Sequence, residues 1–210
     1  MIRFKDRVDA GKMLVPKLKD KVKDSIVLAI PRGGVIVGDI IASELNLMLD
    51  VICPRKLGAP GNPELAIGAI MHDGTYILNH DIIYMLRVDE EYIKEEMRRK
   101  KEESMRRLML YRGNIIYDIN NKNIILVDDG IATGSTIYVV VKWLKANNIK
   151  DLIIATPVGP VDTLRKLENI SDVISILMPY DFNAVGEFYE RFEEVSDDQV
   201  RSILARYKSI

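Results

Sequence analysis

IILVDDGIATGST, residues 124–136, opens on four apolar side chains, continues with adjacent carboxylates at Asp128 and Asp129, and ends in a run with Gly130, Gly134, Thr133, Ser135 and Thr136. The apolar run reads as a buried strand, and Ile137 to Ala146 reads as a helix. Two anionic side chains are thus delivered at a strand's carboxyl end. The turn that follows brings backbone N–H groups to a helix start, a geometry that suits a phosphate. The carboxylates above it suit the hydroxyls of a polyol or a hydrated divalent cation. A Walker A loop is excluded, because it needs a Lys before its hydroxyl residue and Gly134 is followed directly by Ser135. The dinucleotide fingerprint G-x-G-x-x-G is absent as well. An ordinary strand–turn–helix junction explains one Asp and one Gly but not this density of acids, glycines and hydroxyls.

Around this stretch, short β-branched runs alternate with helical patterns, which predicts an α/β fold with a mostly parallel sheet flanked by helices. Strands are expected at Ser25–Ile30, Leu49–Cys53, Ile124–Val127, Leu152–Thr156 and Val173–Leu177, with helices over Val35–Leu45 and Val161–Leu167. Leu65–Met71 and Thr75–Leu78 read as strands joined by a tight turn at His72, Asp73 and Gly74. A last helix starts near Ser196, where Ser196 and Gln199 have capping-box spacing. Repeats, low-complexity tracts and linkers are absent, so residues 1–210 are read as one domain, with 178–210 as a C-terminal hood and helix.

Asp89 to Arg107 is the most charged segment and reads as a long exposed helix. Glu90/Lys94, Glu95/Arg99, Glu96/Lys100, Glu102/Arg106 and Glu103/Arg107 stand at i,i+4 with the acid first. Its thin apolar stripe, Ile93, Met97, Met105 and Leu108, is read as a face for a second subunit, so a homodimer or higher homo-oligomer is expected. A formal charge of −1 leaves no global excess of cations for nucleic acid. The single Cys53 excludes an intramolecular disulfide and reads as a buried thiol. His72 and His80 have no metal-ligand spacing. The charged start and the lack of a long apolar run predict a soluble, cytoplasmic protein without membrane or nucleic-acid partners.

In an open parallel sheet ligands sit beyond the carboxyl ends of the strands, so the loops there carry the chemistry. After the first strand, Pro31-Arg32-Gly33-Gly34 offers a fixed cation and glycines that let a backbone approach an anion closely. After the second, Arg55-Lys56-Leu57-Gly58-Ala59-Pro60-Gly61-Asn62-Pro63 reads as a movable loop that brings positive charge. Met178 to Phe192, MPYDFNAVGEFYERF, gathers aromatics ahead of the last helix; Phe182 can stack on an aromatic ligand, with Tyr180, Phe188 and Tyr189 nearby.

Residues 124–136 closely resemble the phosphoribosyl-pyrophosphate motif of the type I phosphoribosyltransferases. PRGG, RKLGAPGNPELAIGA and VDDGIATGST together resemble a prokaryotic group known as predicted phosphoribosyltransferases, over nearly the whole chain. The resemblance implies a five-stranded parallel core with a flexible loop and a small C-terminal hood. By position, Ile131, Ala132, Thr133, Gly134, Ser135 and Thr136 would hold the 5′-phosphate of phosphoribosyl pyrophosphate, and Asp128 and Asp129 would face the ribose. Arg32, Gly33 and Gly34 would form the pyrophosphate loop, where a strained peptide precedes a glycine; Arg32–Gly33 is the bond expected in cis. Arg55 and Lys56 would hold the departing pyrophosphate and, with Asp129, carry catalysis, while Phe182 and the backbone of Val185 would meet the acceptor. The implied cofactor is Mg²⁺, with Asp128 and Asp129 near its outer shell.

The implied reaction belongs to nucleotide metabolism: a glycosyltransferase of the pentosyl type moves phosphoribose to a nitrogen acceptor, a nucleobase foremost. One residue departs from part of the family. The hypoxanthine–guanine branch carries an Asp between the acid pair and the Thr-Gly, and this chain has Ala132 there, as the adenine and uracil branches do. The alternative reading is a protein that senses phosphoribosyl pyrophosphate or a nucleotide and regulates a partner.

Overall fold

In a computed structural model, which describes residues 3–207, the strands cluster into two sheets belonging to two compact units. In chain order the elements are α1 (Arg7–Leu18), β1 (Ser25–Ala29), α2 (Gly33–Leu45), β2 (Met48–Val51), β3 (Arg55–Ala59), β4 (Asn62–Ile70) and β5 (Tyr76–Leu78). There follow α3 (His80–Leu86), α4 (Glu90–Arg112), β6 (Asn123–Val127), α5 (Ser135–Ala146), β7 (Asp151–Val158), α6 (Val161–Glu168), β8 (Asp172–Leu177) and α7 (Asp197–Leu204). A 3-10 turn, Val185–Phe188, lies between β8 and α7.

The larger unit comprises Met1–Ile52, Tyr117–Gly134 and Asn148–Ile210. Its sheet is wholly parallel in the order β2-β1-β6-β7-β8. Every residue of β1 is buried, as are Ile124 to Val127 of β6, which is why these strands read as continuous apolar runs rather than alternating ones. The strand order reverses at β1, so the crevice for a ligand lies between the carboxyl ends of β1 and β6. Those ends are level: Ala29 pairs with Val127, and the Ile30 N–H donates to the Val127 carbonyl at 2.8 Å.

α1 packs on α2, β7 and β8. It starts at Asp6, whose carboxylate accepts from the Asp9 N–H at 3.0 Å, and it buries Ala10, Gly11, Leu14 and Leu18. Gly11 permits the close approach of α2, since a Cβ there would lie 2.9 Å from Cβ of Ile40. At the other end of the unit, Ser196 and Gln199 close the expected capping box on α7.

The smaller unit, Cys53–Ile116 and Ser135–Asn147, holds the antiparallel sheet β3-β4-β5 with α4 and α5 packed on it. The stretch read as a loop at Arg55–Pro63 is instead β3, a turn through Pro60 and Gly61 (φ 73°), and the start of β4. The reason lies in α4. The Gly58 N–H donates to the buried Glu96 carboxylate at 3.3 Å, and the Tyr92 hydroxyl donates to the Gly58 carbonyl at 3.0 Å, so the bulged strand is satisfied from outside its sheet.

α4 is therefore less exposed than its charge pattern predicts. Glu96, Ser104, Ile93 and Leu108 are all buried in the smaller unit, so Ile93 and Leu108 are not a face left for a second subunit. The ion pairs follow suit: Arg98 bridges Glu95 and Glu102, Arg99 turns to Glu96 at 2.5 Å, and Glu103 takes Lys100 at 3.0 Å. Of the expected i,i+4 set, the Glu90–Lys94 pair forms at 3.6 Å. Isolated-helix spacing does not account for acids recruited by a neighbouring strand.

Candidate active site

β6 ends at Val127 and hands the chain to Asp128 and Asp129; β1 ends at Ala29 and hands it to Pro31–Gly34. The two loops touch. A Cβ on Gly33 would lie 1.8 Å from Oδ2 of Asp129, and one on Gly34 would lie 3.0 Å from Cα of Asp128. Glycine is thus required at Gly33 by contact with the acid pair, not by backbone conformation. Pro31–Arg32 is the cis peptide bond, one residue earlier than expected. Gly33 and Gly34 open α2, whose first turn carries no acidic residue, so its N–H groups are suited to an anion. Arg32 is ion-paired with Glu194 and lies 3.9 Å from Asp197.

The acid pair is tightly held. The Asp129 N–H donates to Oδ1 of Asp128 at 2.9 Å. Burial, reinforced by the neighbouring Asp129 charge, pushes the Asp128 carboxyl well above the usual carboxylate range. Asp129 accepts from Nε of Arg7 at 2.7 Å in a pair whose side chains are 11% and 15% exposed. Nη1 of Arg7 donates to the Glu193 carbonyl at 2.8 Å, and its guanidinium carbon lies 3.8 Å above the Phe192 ring. The Tyr189 hydroxyl donates to the Asp129 carbonyl at 2.6 Å, and burial raises its pKa. Neither Arg7 nor Tyr189's contact with Asp129 is visible in the motif.

The hood segment reaches the same place. A Cβ on Gly130 would lie 2.3 Å from Cγ1 of Val185, so Val185 sits directly against the residue after the acid pair. Phe182 stacks on Phe188 with centroids 5.4 Å apart and is half-buried beside Phe4, Val158 and Tyr189. Phe4 pins this segment: its N–H donates to the Phe188 carbonyl and its carbonyl accepts from the Glu190 N–H, both at 2.8 Å. Tyr180 is exposed, whereas Phe188 and Tyr189 are core.

Downstream of the acids, the Ile131 N–H donates to the Val158 carbonyl at 2.9 Å and Ile131 is buried, which leaves Ala132 and Thr133 exposed at the turn. Gly134 has φ 77°, a left-handed conformation that favours glycine, and the chain passes directly into α5 at Ser135 and Thr136.

Arg55 and Lys56 lie on β3 in the smaller unit. Arg55 is ion-paired with Glu103, while its buried Nε has no hydrogen-bond partner. Burial opposes ionisation of Glu103, but Lys100 and Arg55 outweigh it and hold its pKa below the ordinary value. Lys56 donates to the Glu64 carboxylate at 3.0 Å and to its carbonyl at 2.9 Å. Cys53 is buried, His72 is buried against Trp143, and His80 is exposed at the first position of α3. Among the described residues no helix is long and apolar enough to cross a membrane.

Residues 8–190 match the family model described as the phosphoribosyl transferase domain. Over 206 residues the chain is 37% identical to a provisionally named phosphoribosyl transferase of Mycobacterium tuberculosis, covering 97% of this chain and 46% of that protein. The chain thus spans about half the length of the curated relatives it matches. The crystal structure of TT1426 from Thermus thermophilus is similar over 99% of this chain and 100% of its own, with 33% identity and a TM-score of 0.80. A Neisseria gonorrhoeae protein crystallised with bound ppGpp shares the fold at 14% identity, with a TM-score of 0.54 over 98% of this chain and 96% of its own.

Proposed function

Because this chain belongs to the phosphoribosyl transferase domain family, we propose that it moves the 5-phosphoribosyl group of phosphoribosyl pyrophosphate to a nitrogen acceptor of the nucleobase class. The C1–O bond of the donor breaks, pyrophosphate leaves with the electron pair, and a C1–N bond forms as the acceptor gives up a proton. The observation that carries this reading is the contact between Gly33 and Asp129, in which the Pro-Arg-Gly-Gly loop abuts the acid pair at the strand-order reversal.

Each residue has a role that its chemistry supports. Asp128 and Asp129 take the ribose hydroxyls and offset the positive charge that develops on the ring in an oxocarbenium-like transition state. Arg32 and the Gly33–Gly34 start of α2 take the pyrophosphate. Ile131 to Thr136, turning at Gly134 into a helix start, cradle the 5′-phosphate. Arg55 and Lys56 are assigned to offset the charge of the departing pyrophosphate, as their cationic chemistry suits. Phe182 and the Val185 backbone meet the acceptor. Ala132 offers no carboxylate there, so the acceptor loses its proton without an acidic side chain at that position.

Asp128 and Asp129 would stand near the outer shell of Mg²⁺, an ion that keeps several of its waters and takes phosphate oxygens. When bound, the ion supplies charge neutralisation to the pyrophosphate.

Calorimetric titration with ribose 5-phosphate tests the site. Asp128→Asn with Asp129→Asn weakens binding by at least about tenfold, the loss expected for hydrogen bonds to charged groups. Equal binding of ribose and ribose 5-phosphate by the wild type would refute the phosphate loop.

A further inference from the structure

We propose that Arg7 is the positioning residue of the ribose subsite, fixing the Asp129 carboxylate and coupling it to the C-terminal segment that carries Phe192 and Glu193. This inference rests on the donor reading above and names a residue outside every motif that supports it.

Arg7 has no guanidinium edge free to act as a mobile charge. Its Nε is committed to Asp129 at 2.7 Å, its Nη1 to the Glu193 carbonyl at 2.8 Å, and its guanidinium lies 3.8 Å over Phe192. With an 11% exposed side chain it is not a steering charge waiting in solvent. A planar fork used on two edges and one face is pre-organised, and a lysine, as a point charge, reproduces only one of those contacts.

What it does follows from the neighbourhood of Asp129. Two adjacent carboxylates, one of them largely desolvated, repel each other. A cation on Asp129 offsets part of that repulsion and sets the carboxylate's rotation. The rest of the residue is already held: its N–H donates to Asp128, its carbonyl accepts from Tyr189, and Gly33 lies against Oδ2. Arg7 thus supplies the side-chain anchor, and does so from the first residue of α1, a helix fixed by the Asp6 cap and by packing on α2. The same guanidinium joins Asp129 to Phe192 and Glu193, so order in that segment and order at the ribose acid are linked through one side chain.

The test uses the full chain and two probes, ribose 5-phosphate and 2-deoxyribose 5-phosphate, which differ by one ribose hydroxyl. The wild type prefers ribose 5-phosphate by about tenfold or more, as expected for a hydroxyl bound by an anion. In Arg7→Gln the preference falls to within about threefold, while Arg7→Lys falls between. As a control, Arg201→Gln removes an exposed 3.6 Å ion pair to Asp198 on α7 and leaves the preference unchanged. An Arg7→Gln protein that keeps the wild-type preference overturns the inference and leaves the donor reading standing. A wild type without any preference overturns both. Thermal unfolding is followed in parallel; should Arg7→Gln fail to fold, Arg7→Lys decides, and an undiminished preference in it overturns the inference.

Discussion

Replacing Gly33 with alanine puts the contact between the two loops to a quantitative test. The added Cβ would stand 1.8 Å from Oδ2 of Asp129 and 2.6 Å from Nε of Arg7. Ordinary contact begins near 3.4 Å, so the carboxylate must retreat by about 1.6 Å, enough to disrupt its 2.7 Å pair with Arg7. Overpacking of this kind costs about 1–3 kcal/mol. Disrupting the ion pair adds about 1–3 kcal/mol, less than for a fully buried pair because both side chains keep some exposure. Against this, alanine gains up to about 1 kcal/mol of helix propensity, and less in a first turn. The expected outcome is a net loss of about 2–4 kcal/mol in urea unfolding, with ribose 5-phosphate binding weakened about tenfold to 100-fold as Asp129 leaves its position. In an Asp129→Ala background the carboxylate is gone, and the penalty of Gly33→Ala should shrink to about 1 kcal/mol or less. If Gly33→Ala matches the wild type in both stability and ribose 5-phosphate affinity, or loses as much in the Asp129→Ala background, Gly33 does not hold the Asp129 carboxylate in place.

Three further outcomes are expected. Burial holds the His72 imidazole below its ordinary pKa, so the unfolded chain takes up the proton first. Stability is therefore full above about pH 6.5 and is lost as pH falls toward the depressed folded value; urea midpoints measured down to about pH 5 should decline in the wild type and decline less in His72→Phe, and parallel declines would contradict this. Glu194→Gln releases Arg32 from its ion pair and should tighten pyrophosphate binding two- to five-fold, roughly the worth of an exposed pair, whereas weaker binding would show that Glu194 supports the anion site. Phe182→Ala should raise the acceptor KM by about tenfold while the donor KM stays within about twofold, and the reverse pattern would remove Phe182 from the acceptor side.

The parallel core was legible because β1, β6 and β7 are buried on both faces and so appear as uninterrupted apolar runs. The acid pair and the Pro-Arg-Gly-Gly loop were legible for a related reason: each directly follows such a strand. α1 was not. Gly11 and Pro16 dilute its propensity, and it forms through the Asp6 cap and the i,i+4 series Ala10, Leu14 and Leu18. That series could have revealed the helix but not the role of Arg7, which depends on Asp129, Phe192 and Glu193, all remote in sequence. β3 escaped because its glycine and flanking proline read as a loop, whereas Glu96 and Tyr92 of α4 satisfy its backbone. Glu194, seen from sequence as one charge among several, pairs with Arg32 only because the segment before α7 folds back to the start of α2.

Release of pyrophosphate from phosphoribosyl pyrophosphate across a panel of nitrogen acceptors, with the product weighed by mass spectrometry, decides whether the chain transfers phosphoribose. The expected result is Mg²⁺-dependent release matched one for one by an acceptor that has gained a phosphoribosyl group. Tight binding of phosphoribosyl pyrophosphate with no release for any acceptor in a broad panel would contradict it and mark the chain as a sensor of that ligand.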